Sequence, residues 1–390
     1  SFDTSSVTTM ESMFAGASGL INLDLSYFNT RTVTIMANMF ADASALEKLD
    51  LSSFEMSYLA NTRLNLLENT TKLATLIIGE RTNLNSTNLP PVPDTDGYVG
   101  LWMYENLSSF FTSSQLMSQG ANSLAGRYIW AASGGEVTVR HEDVLGNTLA
   151  PTQTITGYIE QTYEAAIQSI LGWSFIEADG PLSGIFTQDK QEITLIYELA
   201  DAKIHDPINP AAEIHPAHLP DTAEELKSLR IDFAPTLNFG VGTISTTDQA
   251  YYAEPLQLAE EQNERPNFVQ ISHFHPEQPG WRLSLQQKEQ MMTSQGEALT
   301  GAVIEFTQGN LVSVHNRTRP SEYLSDFQLV PGKSTQLIKA EANQGMGTWL
   351  YPFGDTATQD QSIQLHVPAK TNPRAQTYEA ILTWSLEIVP

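Results

Sequence analysis

The sequence predicts a multi-domain, mainly β protein, with a repeat solenoid first, a small β domain next and a C-terminal antiparallel β domain last. Two patterns support this prediction. Near the start of the chain, Phe28 and Phe54 belong to a series spaced by 26 residues. Near its end, Leu382, Trp384 and Leu386 alternate with polar residues. A spacing of two places alternate side chains on one face of a β-strand, so one face of the final strand is apolar.

The composition excludes several classes of protein. The 390 residues are 41% hydrophobic, which suffices for folded cores, and the length allows roughly two to four domains. Cysteine is absent, so a disulfide framework, thiolate metal sites and a cysteine nucleophile are excluded. A formal net charge of −25 opposes binding to nucleic acid or to anionic membranes.

Targeting signals are also missing from the sequence. No run of about 18 apolar residues is present, so we expect no membrane span. The first residues show neither a charged nor an apolar leader. We therefore expect this chain to be the C-terminal part of a longer secreted precursor.

Residues 1–79 repeat internally. Their strand-like segments are Leu20-x-x-Leu23-x-Leu25, Leu46-x-x-Leu49-x-Leu51 and Leu73-x-x-Leu76-x-Ile78. Self-similarity at this period predicts a solenoid whose turns bury one another's apolar faces. We expect a short helical segment opposite each strand, over residues 10–14 and 36–40. The pattern Phe-Asp-Thr-Ser-x-Val-Thr-x-Met-x-x-Met-Phe over residues 2–14 resembles the BspA-type leucine-rich repeats of bacterial surface proteins.

The solvent-facing strand positions of this solenoid are candidates for a ligand surface. These positions are Asn22, Asp24, Lys48 and Asp50. In such a coil they lie on the concave side, with Asp24 beside Asp50. The alternative interpretation is a solvated sheet face without a ligand.

Residues 80–134 predict a Trp-containing connector that caps the solenoid. The proline-rich stretch 88–94 marks a break in the chain. Trp102 and Trp130 are interpreted as the core of this small unit, and a sugar-stacking platform is the alternative.

Residues 135–199 predict one small β domain. Val137 and Val139 at its start, and Ile193 and Leu195 at its end, alternate with polar residues. The segment resembles the MucBP (mucin-binding-protein) repeat over residues 138–147, Gly172-Trp173 and 184–187. The resemblance implies a β-grasp-like fold that serves as a spacer or binds mucin or another glycan.

Residues 200–228 predict an acidic, Pro-rich linker. The segment carries four prolines, and six acidic residues against two lysines. Such a chain stays extended, so we expect residues 203–225 to lack regular packing and to let the C-terminal domain move.

The spacing of the histidines does not predict a metal site. His205, His215 and His218 lie in the predicted linker, which would fix no ligand geometry. His273 and His275 are only two ligands, and a metal site usually needs three or four. We expect no metal and no cofactor.

Residues 229–390 predict a β domain with two Trp-x-Leu ribs. The segment resembles the WxL domain, the wall-attachment module of many Gram-positive surface proteins. The residues that carry the resemblance are Leu237-Asn238-Phe239-Gly240, Thr243-Ile244-Ser245, residues 248–252, Trp281-x-Leu283, Gly345-Met346-Gly347-Thr348-Trp349 and Trp384-x-Leu386. The resemblance implies non-covalent attachment to peptidoglycan at the Gram-positive cell surface, with other WxL-associated surface proteins as further partners.

The wall-binding candidates are the aromatic and leucine residues of these motifs. They are Trp281, Leu283, Trp349, Trp384 and Leu386. Alternation favours a core position for Trp281 and Trp384. Trp349 lies in a Gly-rich stretch that is too irregular for a strand, so we expect it in a loop, and it is interpreted equally as a binding contact or as a core residue.

The sequence therefore predicts a secreted, wall-associated, non-enzymatic surface protein. Its repeats would be displayed for adhesion or for interaction with a host protein or glycan. No nucleophile elbow, zinc-protease motif or phosphate loop is present, and no Leu-Pro-x-Thr-Gly sorting signal appears. The alternatives are a C-terminal domain that docks on a partner surface protein, and a wall-associated glycan hydrolase built on a carboxylate pair. The residues without the resemblances indicate only a multi-domain, β-rich extracellular binding protein.

Overall fold

The structure is a computed structural model that describes residues 3–57, 62–106, 109–119, 125–219, 227–259 and 263–389. These ranges hold 26 β-strands, one six-residue α-helix and one 3-10 turn, Ala369–Thr371. The predicted mainly β, multi-domain class is confirmed. No helix within the same ranges is long and apolar enough to cross a membrane.

The chain divides into two compact units. Unit 1 comprises Ser1–Arg140, Thr152–Ala166 and Ala178–Thr194. Unit 2 comprises His141–Pro151, Ile167–Glu177 and Leu195–Pro390.

Unit 1 begins with three short parallel strands. They are β1 (Asn22–Leu23), β2 (Lys48–Leu51) and β3 (Thr75–Ile78). Leu23 pairs with Leu49, and Leu49 pairs with Leu76, so equivalent residues of successive repeats lie side by side. Leu49 and Leu76 are fully buried, as the repeat pattern predicts for inward strand positions.

The short helices predicted opposite these strands are wrong. Residues 11–16 and 37–42 form turns. Ser12 and Asn38 adopt left-handed backbone conformations, with φ of 54° and 56°, which a right-handed helix cannot contain. The amides bond to the next repeat instead, as in Phe14 N to Met39 O at 2.9 Å. Successive turns therefore stack through their backbones.

The connector extends the same sheet. Its elements are β4 (Tyr98–Tyr104), β5 (Phe110–Phe111), α1 (Ser113–Ser118) and β6 (Gly126–Ala132). The strand order is β1-β2-β3-β6-β4-β5, with β6 antiparallel to both β3 and β4. Trp102 is buried, and its Nε1 donates to Ser113 Oγ at 3.0 Å. Trp130 is half-buried with its ring edge-on to Tyr98. The interpretation of Trp102 as core is confirmed.

Six strands follow in the small β segment. They are β7 (Val137–Asp143), β8 (Thr148–Ile155), β9 (Thr162–Glu164), β10 (Trp173–Asp179), β11 (Ser183–Ile185) and β12 (Gln191–Leu199). Val137, Val139, Ile193 and Leu195 are all fully buried, as their alternation predicts. In unit 1, β9 and β11 pair as an antiparallel ladder.

The C-terminal part of unit 2 contains fourteen further strands among its described residues. They are β13 (Leu229–Phe233), β14 (Gln249–Tyr252), β15 (Leu256–Gln257), β16 (Glu264–Arg265), β17 (Phe268–His273), β18 (Gly280–Gln287), β19 (Val303–Phe306), β20 (Val312–Ser313), β21 (Glu322–Tyr323), β22 (Phe327–Gln328), β23 (Ser334–Ala340), β24 (Gly347–Pro352), β25 (Ile363–Val367) and β26 (Leu382–Val389). They form sheet A (β13-β17-β24-β20), sheet B (β14-β25-β19-β22), sheet C (β21-β23-β18-β26) and the β15-β16 pair.

Sheet A is covered on both faces. The central strands β17 and β24 are buried along their whole length. Val269 and Tyr351 on one face join the main core with residues of sheets B and C. Phe268 and Leu350 on the other face join Phe233 in a second cluster. Strands that alternate this little in polarity need cover on both sides.

The predicted linker supplies that second cover, so the expectation that residues 203–219 lack packing is wrong. Ile214 is buried in the second cluster. The Asp206 carboxylate accepts from Arg265 Nε at 3.0 and 2.9 Å. His205 N donates to Gln270 Oε1 at 2.8 Å. The remaining part of the predicted linker includes residues 220–226, which lie outside the described residues.

Candidate functional site

A groove of about 1410 Å³ opens in the C-terminal part of unit 2. It is lined by β13, by the 234–244 segment, by β26 and by the 373–380 segment. Its floor is apolar and comes mainly from sheet B and the loop before it. The floor residues are Met291, Leu299, Ile304, Leu365 and Val367.

The groove runs beside two edge strands. Four consecutive residues of β13, from Leu229 to Asp232, line it, and so do Leu382, Thr383, Trp384 and Leu386 of β26. Successive side chains of a strand point to opposite faces. The groove therefore lies at the edge of β13, and along β26 it contacts mainly the face that carries Leu382, Trp384 and Leu386.

The 234–244 segment forms one wall without being a strand. Asn238 Nδ2 donates to Glu254 at 2.7 Å, and Glu254 N donates back to Asn238 O at 2.7 Å. Tyr251 Oη donates to Thr243 O at 2.9 Å. A Cβ on Gly242 would lie 2.6 Å from the Tyr251 ring, so only glycine lets the segment lie on that ring. The tyrosine holds this wall in place.

The 373–380 segment forms the opposite wall. Arg374 forms an ion pair with Glu297 at 2.6 Å, and its backbone N donates to Tyr378 Oη at 2.9 Å. Glu379 and Met292 exchange two backbone hydrogen bonds of 2.9 Å. The segment is thus held to the hairpin around residues 291–299.

Three cationic and two anionic residues line the groove. The cations are Lys227, Arg230 and Arg374, and the anions are Asp232 and Glu379. Arg230 pairs with Asp232 at 2.7 Å, and Asp232 also accepts from Gln270 and Ser272. The chain has a net charge of −25, but acidic residues do not outnumber basic residues in the lining of this groove.

Comparison with known proteins identifies the family to which this part of the chain is similar. Residues 187–390, which are 204 of the 390 residues, match the family described as "WxL domain surface cell wall-binding". The chain belongs to the WxL family. Residues 136–198 match the MucBP domain, and residues 1–85 match a family described as a Mycoplasma protein of unknown function, DUF285.

Relatives of known name cover smaller parts of the chain. Internalin J of Listeria monocytogenes serotype 4b is 31% identical over 127 residues, 33% of this chain and 13% of that protein. Internalin I of Listeria monocytogenes serovar 1/2a is 34% identical over 64 residues, 16% of this chain and 4% of that protein. The chain thus spans a small fraction of the length of either relative.

A solved structure also matches in part. It contains residues 161–235 of a candidate peptidoglycan binding protein from Listeria monocytogenes. The match has 26% identity and a TM-score of 0.17, and it covers 18% of this chain and 82% of that one.

These matches confirm the predicted location. A WxL protein that also carries a MucBP domain and is similar to internalins is a secreted, cell-wall-associated surface protein of the Gram-positive type. None of the three family descriptions names an enzyme.

The two Trp-x-Leu ribs of the WxL domain pair with each other. Strands β18 and β26 are antiparallel, and Leu283 lies opposite Leu386. Trp281 and Leu283 are fully buried, which confirms Trp281 as core. Gly345, at φ 67°, makes room for its indole ring, because a Cβ there would lie 2.7 Å from Trp281 Nε1.

Trp384 and Leu386 are less buried than predicted. Both pack against the main core, but they are only partly buried and they line the groove. Strand β26 is the last strand of sheet C, so one of its edges has no neighbour among the described residues.

The prediction that Trp349 lies in a loop is wrong. Trp349 belongs to β24 and is 2% exposed, with its Nε1 donating to Met346 O at 3.1 Å. Gly345 and Gly347 have left-handed φ angles that turn the chain into this buried strand. The glycines that indicate an irregular loop in the sequence form the turn that leads into a strand.

The candidate positions on the repeats are partly engaged in turns. Asp24 accepts from Ser26 N at 3.0 Å, and Asp50 accepts from Ser52 N at 2.9 Å. Hydrogen bonding from Ser26 lowers the pKa of Asp24. Asn22 and Lys48 are exposed and lie opposite each other on β1 and β2.

The histidines considered above are buried or make contacts with neighbouring protein groups. His273 is fully buried in β17, and burial, aided by the charge of His275, lowers its pKa to about 4. His205 Nδ1 lies 2.9 Å from Pro210 O, and the rings of His205 and His315 are 6.5 Å apart. Within the described ranges, no group of three or more His, Asp or Glu side chains is arranged to hold a metal ion.

Most of the groove was not predicted from sequence. Tyr251 comes from β14, whereas Arg374 and Tyr378 come from the 373–380 segment, and no spacing in the sequence joins the two parts. A signal was present in residues 237–242, where Gly240 and Gly242 stand beside Phe239. Gly-rich aromatic segments outside strands often carry binding sites.

Proposed function

We propose that the C-terminal domain, residues 229–390, attaches the chain non-covalently to peptidoglycan through the groove between β13 and β26. The proposal further assigns residues 1–79 to a leucine-rich-repeat solenoid and 80–134 to its cap. Residues 135–199 form a β-grasp-like spacer, and 200–228 join it to the wall-binding domain. The repeats are displayed for adhesion or protein interaction, and the protein is not an enzyme.

One observation carries the wall-binding part of this proposal. Family residues that are exposed or only partly buried meet at the groove: residues 237–240 form one wall, and Trp384 and Leu386 lie on the β26 side. Trp281, Leu283 and Trp349, by contrast, are buried in the core. A binding domain needs accessible residues, and the groove brings several of them together.

The size and chemistry of the groove suit a polymer. Sites for small ligands measure roughly 300–1,000 Å³, and this groove is about 1410 Å³. Tyr251, Tyr378 and Trp384 give it aromatic surface, which packs on the apolar faces of sugars and peptides. The absence of acidic excess matters because wall polymers are anionic, and the chain as a whole is strongly acidic.

Retention on purified peptidoglycan tests the proposal. The full chain is mixed with Gram-positive walls that have been stripped of proteins and accessory polymers, and the pelleted fraction is measured. We expect retention on the stripped walls. Retention only on walls that keep their surface proteins would show that the domain docks on a partner protein. Clearing of peptidoglycan in a zymogram would show a hydrolase.

A further inference from the structure

We infer that His315 is an acid-sensitive latch, which holds the 203–219 segment on sheet A at neutral pH and releases it when the ring is protonated. The inference goes beyond wall binding and does not depend on it, because it concerns the packing of one segment within unit 2. Release would free this stretch of chain ahead of the C-terminal domain.

The His315 side chain acts as a hydrogen-bond acceptor for sheet A just after β20. Val314 N donates to Thr348 O at 3.0 Å, and Thr348 N donates to His315 Nδ1 at 3.1 Å. The imidazole thus continues the bonding of β24 where its pairing with β20 ends. Since an amide N–H can only donate, Nδ1 carries no proton, and the neutral ring has its proton on Nε2.

Protonation of His315 is incompatible with this arrangement. A proton on Nδ1 would point at the N–H of Thr348, so that two donors would meet. Thr348 is only 4% exposed, and a buried backbone amide needs an acceptor. The charged ring must therefore leave its position beside β24.

The 203–219 segment places His205 against the same ring. The centroids of the two imidazoles are 6.5 Å apart, and the rings are steeply inclined, at 75°. His205 Nδ1 lies 2.9 Å from Pro210 O, a carbonyl that can only accept, so this nitrogen carries a proton. The backbone N of His205 donates to Gln270 of β17 at 2.8 Å. His205 is thus a point where the segment meets both His315 and sheet A, and a displaced His315 ring disturbs that contact.

The surroundings of His315 disfavour its charged form. Burial, together with the positive charges of His205 and Arg317, lowers the pKa of His315. The ordinary pKa of a histidine is about 6.5, so below that pH the released state binds a proton that the latched state does not. The latch therefore loses stability as the pH falls below about 6.5.

The acids of the 203–219 segment already have cationic partners. Asp206 pairs with Arg265 at 2.9 Å, and Glu213 pairs with Lys203 at 2.6 Å. His215 is the exposed histidine on the same stretch. These acids are therefore engaged elsewhere and do not compensate a charge on His315.

The neighbouring strands add no free acid either. Asp232 of β13 pairs with Arg230, whose guanidinium lies over the Phe274 ring. That ring is 6.3 Å from the ring of His315. On β17, burial lowers the pKa of His273 to about 4, and His275 follows the strand. A proton on His315 would thus add to basic groups on these strands.

Hydrogen exchange of the full chain at two pH values tests the latch. Protection factors, corrected for the intrinsic effect of pH on exchange, are compared at about pH 7.5 and about pH 5.5. We expect protection of the 203–219 amides to fall about tenfold, since one proton changes an equilibrium at most tenfold for each pH unit below about 6.5. The amides of β18 report the opening of the whole domain. Unchanged protection of 203–219 would overturn the inference, and so would protection equal to that of β18 at both pH values.

A substitution that keeps the hydrogen bond but cannot titrate isolates the role of His315. In His315→Asn, the amide Oδ1 takes nearly the position of Nδ1 and accepts from Thr348 N. We expect this variant to keep the protection of 203–219 at about pH 5.5. His215→Gln changes an exposed histidine on the segment itself and is the matched control, which should respond to pH as the wild type does. A loss of protection in His315→Asn as large as in the wild type would overturn the inference.

Nitrogen NMR of the histidine rings tests the latch in the wild-type chain, without any substitution. We expect the His315 ring to gain its second proton over the pH range in which the 203–219 segment loses protection. A His315 ring that stays neutral while the segment loosens would contradict the inference. A ring that becomes charged while the segment stays protected would contradict it as well.

Discussion

At the scale of single residues, burial separates tryptophans that sequence motifs treat alike. Trp281, Trp349 and Trp384 all belong to WxL family motifs. The first two are enclosed by the core, and only Trp384 reaches the groove. A period of two indicates which face a residue shares, but not whether that face meets another sheet or solvent. Trp349 therefore lies in the core where the sequence left open a loop contact, and Trp384 is more exposed than its alternation predicts.

Trp349→Ala is expected to destabilise unit 2 by about 3–5 kcal/mol, the usual cost of an emptied aromatic position in a core. This is a large share of the roughly 5–15 kcal/mol that holds a domain together. Chemical denaturation of the full chain, followed by tryptophan fluorescence, measures the loss. Trp349→Phe keeps a ring in the space and should cost less. An alanine variant as stable as the wild type would show that Trp349 is not a core residue.

His273 is expected to make unit 2 sensitive to acid. Its pKa is about 4 in the folded chain, because the ring is buried and His275 is near. An unfolded histidine has a pKa of about 6.5. Between these values the unfolded state binds a proton that the folded state does not. The free energy of unfolding therefore falls as the pH is lowered from about 6.5 to 4, by up to about 3 kcal/mol.

Denaturation at several pH values checks this expectation. His273→Leu removes the titrating group and should flatten the pH dependence in that window. His218→Gln, at an exposed position, is the control and should keep the wild-type slope. A wild-type slope in His273→Leu would assign the acid sensitivity to other groups.

At the scale of elements, the sequence predicts the strands but not the segments that pack over them. The alternations at residues 280–285 and 382–388 predicted β18 and β26, and the repeats predicted β1 to β3. The prolines and like charges of residues 203–219 predict a mobile spacer, but the segment is packed on sheet A. Their order depends on Arg265 and Gln270, some 60 residues away in sequence. Pairing at that distance leaves no local pattern.

Asp206→Asn is expected to loosen the 203–219 segment, because it removes the charge that Arg265 faces across a nearly buried ion pair. Breaking a buried pair costs about 3–5 kcal/mol, and this pair is partly open, so we expect about 2 kcal/mol. Limited proteolysis should cut the variant within 203–219 and leave the wild type intact there. Glu213→Gln breaks the exposed pair with Lys203 and should change little. Ready cleavage of the wild type in 203–219 would restore the linker interpretation.

Gly79→Ala is expected to disturb the stacking of the repeats. A Cβ at Gly79 would lie 2.1 Å from Ser52 O, a backbone atom of the preceding repeat that cannot move alone. The cost should exceed the usual change of about 1 kcal/mol for a single substitution. Gly19→Ala is the matched control within the repeats, because a Cβ there meets nothing within 4 Å. Similar melting temperatures for the two variants would contradict the close approach.

At the scale of the whole molecule, the proposed function combines a region for display with a region for attachment. The family matches place the wall-binding function in the C-terminal half and the MucBP domain ahead of it. A net charge of −25 gives the chain no general attraction to an anionic wall. Under the proposed function, attachment comes from local contacts in the groove of unit 2.

The most direct test of this account compares wall retention and stability for one substitution in the groove. Trp384→Ala in the full chain should keep a melting temperature near that of the wild type, because the side chain is only partly buried. Its retention on stripped peptidoglycan should fall at least about tenfold in affinity, as for an interface hot spot. Retention equal to that of the wild type, in a folded variant, would contradict the assignment of the groove as the wall-binding site.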